Sequence, residues 1–370
     1  MLKFDPIIVH GGDISGFSKK IGKPEALIKD FSSNINPLGP SKCVEKIYYE
    51  SFALLKKYPD PQARELTQVI AEKLLLTTDN IIVGNGAIAL IELAIRAINP
   101  RKVLLVEPCF TEYRRLAILN GAQIDSIGLN PQEDFQFSLE AIMDRLDQTD
   151  LIILGHPNNP TGTHLSQEDL LKLIQKVEEQ NEFLLIDEAF IDWCPDQSVV
   201  DALKDYSSFL VIRSLTKYFS LAGIRIGYAA GAGFLIAKMK GLQETWSCNA
   251  LAQKLGITAL KDQEFYDQTQ AWFMTESSRF FNLLSNLPGV KAYSSKANFF
   301  LLKVSSHFNP EDFWMRIKRE GIYLRDTFDF QGLDASYVRI ALLKEEDNNI
   351  FIKTLEECLV SYGAFHSLSG

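Results

Sequence analysis

The chain has 370 residues, 46% of them hydrophobic, and its 47 acidic against 38 basic side chains leave a formal net charge of −9. That length and apolar content suffice for one large core and a smaller second one. The acidic balance, with no lysine- or arginine-rich block, argues against nucleic acid or an anionic membrane as partner, so positive charge for an anionic substrate has to be gathered inside a site.

In chain order, Met1 to Pro6 holds no apolar h-region of a signal peptide. The segment to about residue 40 is rich in glycine and proline and is expected to pack on a later part of the chain. Tyr58-Pro59-Asp60-Pro61 leads into an amphipathic helix. From about 80 to 230, short apolar strands alternate with amphipathic helices: strand Ile81 to Val83, helix Ala87 to Ile98, strand Val103 to Val106, helix Phe110 to Asn120, then strands at 151–154 and 183–186. Between the last two, Ser166-Gln-Glu-Asp169 resembles a capping box, and Leu170, Leu173, Ile174 and Val177 share one helical face. Such alternation predicts a mainly parallel sheet with helices on both faces. From about 245 onward come longer helices (Ala250 to Leu260, Tyr266 to Leu284) and strands near 298–303 and 338–342, the pattern of a second α+β domain. No uninterrupted apolar run reaches transmembrane length. The five cysteines, Cys43, Cys109, Cys194, Cys248 and Cys358, are scattered and never spaced C-x-x-C, so they read as reduced thiols of a cytoplasmic protein. The five histidines show no metal-ligand spacing, and no metal is expected.

Three segments carry chemistry. The apolar run Phe209 to Ile212 leads into Ser214-Leu215-Thr216-Lys217, with Arg225 eight residues beyond the lysine. A lysine in an apolar pocket has its ammonium form disfavoured and becomes an amine nucleophile toward a carbonyl. The hydroxyls of Ser214 and Thr216 and the Arg225 guanidinium suit a phosphate dianion beside it. Phe183 to Ile186 reads as a buried strand ending in Asp187, placed where open α/β sheets bind ligands and able to pair with a protonated pyridine nitrogen. Leu151 to Leu154 ends in His156-Pro157-Asn158-Asn159-Pro160-Thr161-Gly162, a stiff loop that can hold the Asn159 side chain in one orientation. Taken singly, each has an ordinary reading: a surface lysine, a turn-capping aspartate, an Asn-Pro turn. A fourth segment competes with them. Gly84-Asn85-Gly86-Ala87-Ile88-Ala89 matches G-x-G-x-x-A after a strand, and Glu107 ends the next strand, so a nicotinamide-dependent oxidoreductase is the alternative. Either way the glycines let backbone N–H groups at a helix N-terminus face a phosphate.

The order Asn159-Pro-Thr-Gly, Asp187, Ser214/Lys217/Arg225 resembles the fold-type I pyridoxal-phosphate enzymes, the aspartate-aminotransferase superfamily, over nearly the whole chain. The resemblance implies an α/β fold with a large domain built on a mainly parallel sheet and a smaller α+β C-terminal domain. It places an N-terminal arm at 1–40, the cofactor-binding domain at 41–240 and the small domain at 241–370. It also implies pyridoxal 5'-phosphate as cofactor, with Lys217 as its covalent anchor, Asp187 on the ring nitrogen and Asn159 on the ring hydroxyl. Phe110 stacks on the ring, and Gly86, Ala87, Ile88, Ser214, Thr216 and Arg225 hold the phosphate. The Tyr58 segment resembles the histidinol-phosphate aminotransferase branch, whose tyrosine reaches the cofactor phosphate of a partner subunit, implying a homodimer with shared active sites. Within that branch, His10-Gly11-Gly12-Asp13, Asp30 to Gly39, Asp187-Glu-Ala-Phe190, Arg213 to Lys217 and Trp246 to Ala252 resemble the threonine-phosphate decarboxylases of cobalamin biosynthesis more closely than the aminotransferases. That family implies a phosphorylated amino acid as substrate, O-phospho-L-threonine, touched by His10, Gly11, Asn34, Asn159, Arg325 and Arg339. Two anionic groups call for two cationic anchors, and guanidinium forks suit both. Aminotransfer of the histidinol-phosphate type is the nearer alternative.

Overall fold

The computed structural model describes residues 10–361; the opening residues read above for a signal sequence lie outside them. Seven strands form the main sheet: β1 (Ile81–Gly84), β2 (Lys102–Glu107), β3 (Gln123–Gly128), β4 (Leu151–Gly155), β5 (Phe183–Asp187), β6 (Phe209–Ser214) and β7 (Gly227–Gly231), in the order β1-β7-β6-β5-β4-β2-β3. Only β7 runs against its neighbours. The central strands are apolar at nearly every position because both faces are covered. Ile153, Leu185 and Leu210 meet Leu90 and Leu116 on one side, while Ile152, Leu184 and Val211 meet Leu170, Leu173 and Val177 on the other. The covering helices include α1 (Ala87–Ile98), α2 (Thr111–Leu119) and α3 (Gln167–Gln180). Ser166 caps α3: its hydroxyl accepts from the Asp169 N–H at 3.1 Å and lies 2.9 Å from the Asp169 carboxylate.

This topology removes the dinucleotide reading. A Rossmann unit needs the strand before the glycine loop to lie beside the strand after the helix. Here β1 pairs only with antiparallel β7, and β7, β6, β5 and β4 separate it from β2.

Register lines up the site. Gly84 and Ser214 are both partnered by Gly227, and Asp187 lies between Gly155 and Ile212. The ends of five strands therefore meet in one row. A Cβ on Gly227 would lie 2.7 Å from the Arg213 carbonyl oxygen and 3.0 Å from the Ala87 nitrogen, so glycine there lets the start of α1 sit directly over the sheet edge.

Further along the chain, Val290–Ala292, Phe299–Val304, Arg325–Asp326 and Tyr337–Ala341 make a four-stranded antiparallel sheet. The N-terminal segment joins this part: Lys29–Asp30 pairs in parallel with Ile322–Tyr323, and the Ala341 N–H donates to the Phe31 carbonyl at 2.8 Å. Among the described residues no helix is long and apolar enough to cross a membrane.

Candidate active site

A cavity of about 640 Å³ opens at the carboxyl ends of the central strands. Lys217 projects into it three residues beyond the end of β6. Its amine has no hydrogen-bond or ion-pair partner among the described residues. Burial, then repulsion from Arg339 and Arg225, pushes its pKa down to about 8, with Asp187 opposing. That is the environment in which a lysine amine becomes nucleophilic near neutral pH.

Asp187, the last residue of β5, is buried in the same cavity. Burial raises its pKa, while a 2.7 Å hydrogen bond from the Tyr113 hydroxyl, the Ala189 N–H and nearby Lys217 favour the carboxylate. Tyr113 on α2 was not singled out by sequence reading, although its place three residues after Phe110 puts the two aromatics on one helical face. Their rings meet edge-on at 5.5 Å.

The phosphate-type donors line the same cavity. The Ser214 and Thr216 hydroxyls are 2.7 Å apart. Ala87 and Ile88 line the cavity at the start of α1. Gly86, just before it, takes φ 83°, and Arg225 Nη2 stands 2.8 Å from where a Cβ on Gly86 would be. Glycine is needed there for both conformation and space.

The remaining wall is built from the N-terminal segment and the C-terminal sheet. His10, Gly11, Asn34, Arg325 and Arg339 all line the cavity, as do Phe110 and Asn159. His10 Nε2 lies 3.2 Å from Glu112, a buried carboxylate on α2 that also binds Arg115. Burial works to raise the Glu112 pKa, but these two partners outweigh it and lower it. Arg339 donates from Nη1 to Asn159 Oδ1 at 2.5 Å and from Nη2 to the Ser32 carbonyl at 2.8 Å. Among the described residues its Nε is buried without a partner, as is Asn34 Oδ1. Burial and then neighbouring Arg325 push the Arg339 pKa down to about 9, as expected of a buried cation that lacks a paired carboxylate. Arg325, by contrast, is paired with Asp329, a residue the sequence did not flag.

Tyr58 is the candidate that the structure leaves outside. It is 80% exposed, stacks on Trp246 at 4.6 Å between ring centroids, and does not line the cavity of its own chain. Among the described residues no cluster of side chains could hold a metal ion.

A buried lysine just beyond a strand end, in one cavity with a buried aspartate, two hydroxyls and a glycine-led helix N-terminus, defines a class. The family model described as aminotransferase class I and II matches residues 28–355, and the chain belongs to that family. It is a fold-type I, pyridoxal-phosphate-dependent enzyme. More particular likenesses follow. A protein of Caldanaerobacter subterraneus subsp. tengcongensis, named provisionally as a threonine-phosphate decarboxylase, is 36% identical over 87% of this chain and 88% of its own. The threonine-phosphate decarboxylase of Salmonella typhimurium is 32% identical over 95% of this chain and 96% of its own. Among solved structures, the histidinol-phosphate aminotransferase of Clostridium acetobutylicum superposes with a TM-score of 0.85 at 33% identity, covering 90% of this chain and 99% of that one.

The residues present fit the family's cofactor. An amine without a partner among the described residues would anchor the aldehyde, a buried carboxylate would pair with the ring nitrogen, and Gly86 faced by Arg225, with Ser214 and Thr216 lining the same cavity, would seat the phosphate.

Proposed function

We propose that this enzyme decarboxylates O-phospho-L-threonine to (R)-1-amino-2-propanol phosphate and CO2, the step that supplies the aminopropanol arm of cobalamin. The observation that carries the reading is the pair of buried guanidiniums, Arg325 and Arg339, in the same cavity as Lys217 and Asp187. A substrate with a carboxylate at one end and a phosphate at the other needs two such anchors. His10, the Gly11 backbone, Asn34 and Asn159 complete the substrate wall.

In this reading Asp187 pairs with the ring nitrogen, Asn159 with the ring hydroxyl, and Phe110 covers the ring face. Gly86, Ala87, Ile88, Ser214, Thr216 and Arg225 hold the cofactor phosphate. Pyridoxal phosphate, bound there, supplies an electron sink for the pair released when a bond at the substrate Cα breaks. Arg325 and Arg339 would grip the two anionic ends of the substrate and so orient the carboxylate that leaves as CO2. Lys217, with a pKa near neutrality, can hold a proton and deliver it to Cα afterwards.

We further propose a homodimer whose sites are shared. Tyr58 and the nearby Tyr49, Phe52 and Leu55 are exposed on one stretch of chain, an unusual cluster of bare apolar side chains. Residues 1–40, 41–240 and 241–370 then serve as arm, cofactor domain and small domain.

The test is incubation with O-phosphothreonine, with and without a 2-oxo acid, measuring CO2 and new amino acid separately. Release of CO2 without any oxo acid is the expected result. The likeness to the Clostridium enzyme favours histidinol-phosphate aminotransfer as the second reading. Dependence on an oxo acid, with glutamate formed from 2-oxoglutarate when histidinol phosphate is the donor, would establish it instead.

A further inference from the structure

We propose that Asp329 is a positioning residue: it fixes the Arg325 guanidinium so that one adjacent pair of N–H groups faces the cavity as a two-pronged anchor for an anionic end of the substrate. The proposal rests on the reading of this cavity as a site for a phosphorylated amino acid.

Donor accounting leads to it. A guanidinium carries five N–H groups in a rigid plane. Asp329 takes two of them end-on, from Nη1 to Oδ1 at 3.0 Å and from Nη2 to Oδ2 at 2.7 Å. The Asp326 carbonyl accepts from Nη1 as well. Among the described residues no acceptor engages Nε–H or the other Nη2–H. Those two groups lie on one edge of the plane, spaced to meet two oxygens of a single carboxylate or phosphate.

The surroundings say which way that edge points. Arg325 lines the cavity and Asp329 does not, so the ion pair lies behind the wall. The pair is buried, with side-chain exposures of 4% and 11%, and the Phe330 ring packs 4.8 Å from the guanidinium carbon. Arg339 is arranged differently, held by the neutral oxygens of Asn159 and Ser32. Of the two cations offered to a ligand, one is neutralised from behind and the other is not. By charge alone Asp329 weakens anion binding, whereas by geometry it strengthens it. The two effects predict opposite signs for its removal.

The experiment measures inorganic phosphate binding to holoenzyme, by inhibition and by calorimetry, for wild type, Asp329→Ala, Asp329→Asn and Asp329→Glu. Positioning predicts that alanine weakens phosphate binding and raises KM for phosphothreonine by about 10- to 100-fold, the scale of a misaligned charged contact, with kcat changed much less. Asparagine, which keeps one acceptor, should fall between alanine and wild type, and glutamate should recover more than asparagine. Cofactor affinity and absorption should be unchanged in all three variants. Tighter or unchanged phosphate binding in Asp329→Ala would overturn the proposal. Should the alanine variant not fold, glutamate binding phosphate no better than asparagine would overturn it equally. Phosphate binding does not depend on which bond of the substrate breaks, so these outcomes stand apart from success or failure of the decarboxylase reading.

Discussion

Replacing Lys217 by methionine should stabilise the cofactor-free protein, although it destroys the reactive group. The amine lacks a partner, and its pKa lies near 8 in place of 10.5 because of burial first and the Arg339 and Arg225 charges second. A depression of that size disfavours the ammonium form by about 3 kcal/mol. Cavity water screens part of it, leaving about 2–3 kcal/mol. The sign follows from proton counting. Below pH 8 folded and unfolded chains both hold the proton, and the folded state carries the whole penalty. Between 8 and 10.5 the unfolded chain keeps a proton that the folded chain has shed, so this group's contribution to stability rises with pH. Above 10.5 the penalty is gone. Cofactor-stripped Lys217→Met should therefore melt about 3–4 °C above stripped wild type at pH 7, given the unfolding entropy of a chain this size. The gain should fade between pH 8 and 10.5. Adding pyridoxal phosphate should reverse the order, because it binds the folded lysine-bearing chain more tightly. Paired thermal melts and urea titrations of stripped proteins at pH 7 and 10.5 measure this. A methionine variant no more stable than wild type at pH 7, or a gain that persists undiminished at pH 10.5, would refute the argument.

Four further outcomes are expected. Borohydride reduction of holoenzyme, followed by peptide mass mapping, should find the cofactor on Lys217, and unmodified Lys217 in saturated protein would contradict the anchor. Tyr113→Phe removes the 2.7 Å hydrogen bond to Asp187 and drives that carboxyl's pKa further up, so the cofactor Kd from equilibrium dialysis should rise by about 10-fold, the scale of one hydrogen bond to a charged group. Arg339→Gln should weaken substrate binding by about 2–5 kcal/mol in a KM or calorimetric measurement, while the cofactor stays bound through Arg225 and Ser214. Mixing Tyr58→Ala chains with Lys217→Ala chains should restore activity in heterodimers; a fully active monomer by sedimentation would speak against shared sites.

Much of this architecture was legible in the sequence, for a physical reason. The strands that carry Asn159, Asp187 and Lys217 are central and parallel, so both faces are apolar and the chemistry-bearing residue stands out where the run stops. The two large-sheet strands that sequence reading passed over fail this test in different ways. β3 lies at the sheet edge, where none of its residues is fully buried and Gln123, Asp125 and Ser126 fit into a strand. β7 is Gly-Tyr-Ala-Ala-Gly, with little apolar bulk, because neighbours crowd both ends: the start of α1 lies over Gly227, and Leu210 lies against Gly231. Partners that arise only on folding left no local mark. Glu112 under His10 comes from 102 residues away, and Asp329 follows Arg325 by four residues without a helix to make that spacing meaningful. The G-x-G-x-x-A match left a second cofactor open because a helix N-terminus facing phosphate is common to both readings. Only strand order separates them.

The cavity has two mechanically different halves, and that division bears on how such enzymes come to differ. Lys217, Asp187, Asn159 and Ser214 stand at or just beyond the ends of neighbouring strands in one hydrogen-bonded sheet, so their spacing is fixed by register. His10, Asn34, Arg325 and Arg339 come from the N-terminal segment and the C-terminal sheet, which reach the first group through side chains and through backbone hydrogen bonds, among them the Asn36 N–H to the Lys217 carbonyl at 3.0 Å and the Lys296 N–H to the Gly162 carbonyl at 2.9 Å. Arg339 is another junction: one guanidinium binds Asn159 in the loop after a large-sheet strand and the Ser32 carbonyl of the N-terminal segment. In the proposed reading it is this second group that would place the anionic ends of a substrate, while Lys217 and Asp187 belong to the first. Orientation at Cα selects the bond that breaks, so two enzymes can share the sheet-borne half and catalyse different reactions. Likeness to both a decarboxylase and an aminotransferase is what such a division produces.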